Sequence, residues 1–456
     1  MSADPFDDRA VQRLSMPARA PGGMSRRRFL TLAGAGAGMA AGAAAFGPLL
    51  EQLRAFAAPP IGPSDGVLVL IMMEGGNDGL NTLVPFGDSR YYQLRPRIAI
   101  PRASALALNA SVGLHPSLTK IKGLYDQGKV AIVRGVGYPT PDLSHFTSMG
   151  IWMNGWGGAT QPGGPTGWVG RYLDGLPNAA NESLLGAVIG TSVPLHMVGA
   201  VARASGLPSS IGGAFGLDRR DPADARMFDA ISAFGSGPTG LGPWGDMVGH
   251  VEQDTLDLAQ RIQPAYAGTF PDTDLGRQLV LSARLINANL GIRVVSTAFG
   301  GFDTHSDEPG GHASLLSELD GAVDAFFQTI SPTYRSRVTV MTFSEFGRRP
   351  EDNDTIGTDH GTASVQFLFG DRVWGGLHGQ QPSLTSLDQN GNLVRTVDFR
   401  QVYATVLDQW LEADAKQLLG HDFGTLGLFA AGGPGGGPAA GAVPPVRRRR
   451  KRLTVP

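Results

Sequence analysis

Apolar residues fall along this chain in two kinds of pattern. From Gly66 a run of seven consecutive apolar residues, Val67 to Met73, ends at the polar turn Glu74-Gly75-Gly76-Asn77-Asp78-Gly79. Similar runs recur at Val130–Arg134, Arg293–Phe299, Arg337–Phe343 and Val365–Phe369. An uninterrupted apolar run bounded by turn residues predicts a strand buried on both faces. Between these runs, helical spacing predicts helices over Pro116–Gln127, Leu275–Leu290, Ala313–Ile330 and Phe399–Leu411. Buried strands alternating with helices predict an α/β domain around a largely parallel central sheet. Gly155 to Gly249 is rich in Gly and Pro and is expected to make excursions over that sheet. No internal repeat is found.

The two ends have other patterns. Ser25-Arg26-Arg27-Arg28-Phe29-Leu30 precedes a weakly apolar Ala/Gly run from Thr31 to Leu50, and Ala55-Phe56-Ala57 follows. That order of signals predicts a twin-arginine signal over residues 1–57, with the twin-arginine translocase as the export partner. Residues 58–430 form the expected α/β domain. Residues 431–456 are Gly/Pro/Ala-rich and end in the basic run Arg447–Arg452, so they are expected to be a disordered tail. The run could tether the chain to an anionic envelope polymer or lipid surface.

Composition sharpens this. The leader (+3) and the tail (+6) leave −11 for the body, against −2 overall. An acidic body argues against nucleic acid as its partner. The chain has no Cys, which excludes disulfides, cysteine-ligated zinc and a thiol nucleophile.

In open α/β sheets ligands bind beyond the carboxyl ends of the strands. The polar residues there are Asp78 after the first strand, Tyr138 to Phe146 after the second, and Asp303 and His305 after the third. Ser344, Glu345 and Arg348 follow the fourth, and Asp359 and His360 precede the fifth. Each is unremarkable alone, since Asp-x-His can be a turn and a lone Asp can cap a helix. Together, carboxylates and imidazoles drawn from several strands predict a divalent-metal site, zinc or manganese, holding one or two ions. Ser144 is the first choice of nucleophile, with His145 beside it, and Thr140 is second. Arg348 stands where it could bind an anionic substrate or pair with a carboxylate. His115, His196, His250, His312, His378 and His421 receive structural readings.

Gly75 to Asn81, Leu114-His115-Pro116, Leu143 to Phe146, Phe302 to His305, Ser344 to Arg348 and Asp359-His360-Gly361 resemble the motifs of the bacterial exported family called domain of unknown function 1501. The resemblance runs from about Val67 to Leu428. It implies the fold of the alkaline phosphatase and sulfatase superfamily, a three-layer α/β sandwich with two-metal hydrolase ancestry. Carried across, that pattern implies metal ligands at Asp78 (or Glu74), Asp303, His305 and His360. Ser344-Glu345 stands where an Asp-His pair is usual, and Asp359 completes the expected set. The string Ser15-Met16-Pro17-Ala18-Arg19 fits a formylglycine pattern but lies in the leader and is rejected. The function expected is hydrolysis of phosphate or sulfate esters, on a small molecule or a polymer. The alternative is a noncatalytic exported binding or assembly protein of the envelope. Hydrolysis of a carboxylic ester by Ser144 with His145 is a weaker third, because no G-x-S-x-G elbow occurs.

Overall fold

The computed structural model describes residues 61–62, 65–158, 166–190, 192–209 and 261–430, with short stretches between 222 and 259. The leader, the basic tail and His250 lie outside the described residues.

Strands are numbered in chain order: β1 Val67–Met73, β2 Leu83–Val84, β3 Leu106–Ala107, β4 Gly113–Leu114, β5 Val130–Gly137, β6 Gly186–Ile189, β7 Ala204–Leu207, β8 Val294–Phe299, β9 Val338–Phe343, β10 Ser364–Phe369, β11 Gly376–His378 and β12 Val397–Asp398. All five apolar runs form strands. Nine strands make one sheet in the order β11-β5-β10-β9-β1-β8-β6-β7, with β12 also paired to β5. Every neighbouring pair is parallel except the two made by β10. The largely parallel α/β class therefore holds.

The periodicity of β1 shows why both faces are covered. Val67, Val69, Ile71 and Met73 enter one core, with the helices Thr119–Asp126, Asp274–Asn287 and Glu308–Thr329. Leu68, Leu70 and Met72 enter the other, with Trp152, Trp168, Tyr403 and Leu407. Alternate side chains of one strand thus fill two separate cores, giving the three layers. Helix–sheet–helix packing requires this all-apolar strand.

The Gly/Pro-rich stretch behaves differently from expectation. It contributes β6 and β7, which extend the sheet beyond β8 instead of passing over it. Gly186-Ala-Val-Ile and Ala204-Ser-Gly-Leu are four residues each, too short to show a periodicity.

The fold makes a contrast that denaturation can check. Leu70→Ala, in the core under β1, should cost about 2–5 kcal/mol, whereas an exposed site such as Phe146→Ala should stay within about 0.5 kcal/mol. Similar midpoints for the two variants in urea would contradict the two-core account.

Candidate metal centre

Five contiguous strands, β5-β10-β9-β1-β8, bring their loops to one edge of the sheet. Because β10 runs antiparallel, its beginning lies where its neighbours end, with Ser364 paired to Val136 near the end of β5. Asp359 and His360, which precede β10, therefore meet residues that follow β5, β8 and β9.

In the middle, Gly75 and Gly76 end β1 with φ of 119° and 83°. A Cβ on Gly75 would sit 2.3 Å from the Asp303 backbone nitrogen, and one on Gly76 would sit 2.5 Å from the Phe346 ring. Only glycine combines that backbone conformation with so close an approach.

Three histidines gather around Asp303. His305 Nε2 lies 3.0 Å from Asp303 Oδ1, His360 Nε2 lies 3.1 Å from the same oxygen, and His145 Nε2 lies 3.3 Å from Oδ2. His305 Nε2 and His360 Nε2 are 3.0 Å apart. The ligand atoms of His145, Asp303 and His360 all lie within 4.8 Å of one another. The ring of His360 sits between the other two, with centroids 4.5 Å from His145 and 4.7 Å from His305. Phe346 packs on His145 and His360.

Each ring is aimed by its other nitrogen. His145 Nδ1 meets Glu345 Oε1 at 2.8 Å, His305 Nδ1 meets Asp359 Oδ1 at 3.2 Å, and His360 Nδ1 meets the Leu143 carbonyl at 2.8 Å. A carbonyl or carboxylate only accepts, so each ring can donate from Nδ1 to the group behind it, and in that tautomer Nε2 would present its lone pair to a cation at the cluster. In that tautomer the two Nε2 lone pairs, 3.0 Å apart beside a carboxylate, would repel, and a divalent cation between them would relieve this. Ligands of a tetrahedral zinc stand about 3.3 Å apart, given Zn–N bonds of roughly 2.0–2.1 Å. The donor set fits a divalent ion.

Asp303 is held as a carboxylate. Burial pushes its pKa up, but the Arg348 hydrogen bond and charge, with His360 and His305 alongside, outweigh this and bring it down to about 2. Glu74, at the end of β1, is raised by burial and by the nearby Glu345 charge.

Several expected residues are placed elsewhere. Arg348 is enclosed and pairs with a carboxylate, Asp303. Its side chain is fully buried, donating from Nε to the Gly76 carbonyl, from one terminal nitrogen to Thr358, and from the other to Gly75, Phe302 and Asp303 Oδ1. Glu345 sits behind His145, taking the Gly75 N–H at 2.8 Å on the same oxygen and the Ser344 hydroxyl on the other. Asp359 stands behind His305 and also accepts from Asn353. Both carboxylates orient imidazoles.

Asp78 is set apart from the histidines. It caps the short helix Gly79–Thr82 and forms a fully buried ion pair with Arg95, because the chain turns away from the cluster directly after Asn77. Glu308, His312, Asn77, Asn81 and Thr82 complete that second polar cluster. Ser144 is the N-cap of the helix His145–Asn154, is exposed, and makes no side-chain cap. Thr140 spends its hydroxyl on the Pro139 carbonyl.

Asn353 and Thr355 were not singled out in the sequence, and Leu143 entered only as part of the Leu143–Phe146 motif, with no role of its own. Asn353 and Thr355 both donate to the His305 carbonyl. Leu143 acts through its backbone, which no residue type could reveal. Among the other histidines, His312 and His196 are buried and lowered by desolvation, to about 4 and about 3. His115 is likewise lowered by burial, to about 4, and its ring lies against His312. His378, on the edge strand β11, donates from Nε2 to the Trp374 carbonyl at 2.7 Å.

The fold and the site define an α/β protein with a histidine–carboxylate centre at the carboxyl edge of its sheet. The model of the family described as "Protein of unknown function (DUF1501)" matches residues 245–425, so the family resemblance holds over that stretch. Phe302–His305, Ser344–Arg348 and Asp359–Gly361 fall inside it. No curated protein matches the sequence. The solved structures it is similar to include the zinc complex of the C-terminal periplasmic domain of EcEptC from Escherichia coli, at 9% identity and TM-score 0.32, covering 82% of this chain and 88% of that one. The PsFucS1 sulfatase from Pseudoalteromonas sp. has 12% identity and TM-score 0.33, covering 83% and 72%. The alkaline phosphatase from the Antarctic bacterium TAB5 has 10% identity and TM-score 0.26, covering 69% and 95%. At these scores the functional reading rests on the geometry of the site.

The second cluster generates a pH prediction. Burial first, then the Asp78 charge, raises Glu308 from 4.5 to about 8, so it holds a proton at neutral pH. A carboxyl raised on folding stabilises the fold below its unfolded pKa, and that contribution is lost as pH climbs from about 4.5 through about 8. Glu308→Gln should therefore flatten the decline in unfolding temperature between pH 6 and 9. An unchanged slope would contradict the assignment.

Proposed function

We propose that the chain is a metal-dependent hydrolase of phosphate or sulfate esters that acts beyond the cytoplasmic membrane after twin-arginine export. The observation that carries the proposal is the convergence of three imidazole Nε2 atoms on Asp303, each ring aimed from behind by a hydrogen-bond acceptor. His145, Asp303, His305 and His360 are the ligands, while Glu345 and Asp359 orient them. When bound, one or two zinc or manganese ions would polarise the ester oxygens and neutralise developing charge.

The helix His145–Asn154 begins at the cluster, and its first turn has no side-chain cap. Its free N–H groups and positive end favour an anionic group there. Ser144, with its hydroxyl unspent as a cap and one residue from His145, is the proposed nucleophile. The basic run Arg447–Arg452 is proposed as an envelope tether. Among the described residues no helix is long and apolar enough to cross a membrane.

A noncatalytic envelope-binding role is the second reading. It draws on Arg348, whose guanidinium is spent on backbone carbonyls and Asp303 and is unavailable to an ester.

A panel of 4-nitrophenyl phosphate and sulfate esters, assayed with added zinc or manganese, tests the proposal. Turnover that a chelator abolishes is expected, with Ser144→Ala lowering kcat at least a hundredfold while metal content stays the same. No turnover of any ester by metal-loaded protein would favour the binding role. Full activity in Ser144→Ala would move the attack to water.

A further inference from the structure

Two large apolar side chains stand exposed beside the centre. Phe146, directly after His145, is 93% exposed, and Ile356 is 41% exposed. The helix His145–Asn154 buries Ser148 and Trp152 on the side that carries His145, three and seven residues along, which leaves Phe146 turned outward at its first turn.

Ile356 is displayed in the turn that bonds the His305 carbonyl. It adopts φ of 61°, a conformation a β-branched residue rarely takes. The turn holds it there: Ile356 N–H donates to the Asn353 carbonyl, its own carbonyl accepts from Glu308 N–H, and Asn353 and Thr355 grip the His305 carbonyl. Strain retained next to a ligand histidine, to keep an apolar side chain in water, calls for a function at that place. Phe146 thus directly follows one histidine of the centre in the chain, and the turn that displays Ile356 is bonded to the backbone carbonyl of another, His305.

The two arginines that follow Phe346 are already engaged. Arg348 is buried, and Arg349 pairs with Glu351 at 3.2 Å. Resting on the hydrolase reading for the anion's place at the centre, we infer that Phe146 is a specificity-determining residue. With Ile356 it seats an ester whose alcohol part is a flat, largely apolar ring, the phosphoryl or sulfuryl group lying at the histidines.

Calorimetric titration of the zinc-loaded full chain with phenylphosphonate and with methylphosphonate tests this without turnover. Phenylphosphonate should bind about tenfold more tightly, the gain from covering part of one aromatic ring. Phe146→Ala should erase that preference and leave methylphosphonate affinity unchanged. Equal affinities in the unaltered chain, or a preference that survives Phe146→Ala, would overturn the inference. A ring preference in a protein that hydrolyses no ester would sustain it while retiring the hydrolase reading. Failure to bind either phosphonate would sink both.

Discussion

The centre depends on one buried guanidinium. Arg348 joins the end of β1, through the Gly75 and Gly76 carbonyls, to the loop after β8, through Phe302 and Asp303, and to the loop before β10, through Thr358. A guanidinium has five N–H donors in a rigid plane and cannot shed its charge, so it fits a convergence of carbonyls that lysine could not. Burying such a cation costs several kcal/mol, and only a nearly complete set of acceptors with an ionised partner offsets that. Asp303 is that partner. The same contact that compensates the arginine fixes the carboxylate on which three imidazoles converge.

This constraint explains the surrounding sequence. Gly75 and Gly76 let the end of β1 approach Asp303 and Phe346, and the buried Glu345 takes the Gly75 N–H while holding His145. A second rigid centre, Asp78 with Arg95, lies alongside. Arg95 donates to the Arg349 and Pro350 carbonyls, so it anchors the start of the loop that ends in Asp359 and His360. Both ends of that loop are thus tied down by buried arginines.

Much of this was legible in the sequence, and the rest was not for identifiable reasons. Five strands declared themselves because a strand buried on both faces needs an unbroken apolar run. β6, β7, β11 and β12 are two to four residues long and gave no such signal. His145, Asp303, His305 and His360 were legible as polar residues at strand ends, and the antiparallel course of β10 accounts for the one of them, His360, that precedes a strand. For Arg348 the pairing with a carboxylate was one of two readings, and the roles of Glu345 and Asp78 were not legible, because residue type and spacing do not reveal which polar group faces solvent and which is enclosed. Asp78 follows its strand by five residues and Asp303 by four, yet the helix Asp78 caps turns it toward Arg95. The strained turn that displays Ile356 left no mark in the sequence at all.

Metal content per chain in the full-length protein and in His360→Ala tests the central claim most directly. His360 is shared by every close grouping around Asp303. The account predicts near-stoichiometric zinc or manganese in the unaltered chain, bound through imidazole nitrogen by X-ray absorption, and its loss in a His360→Ala chain that remains folded. A folded protein that takes up no added ion, or a His360→Ala variant that keeps its full complement, would contradict it.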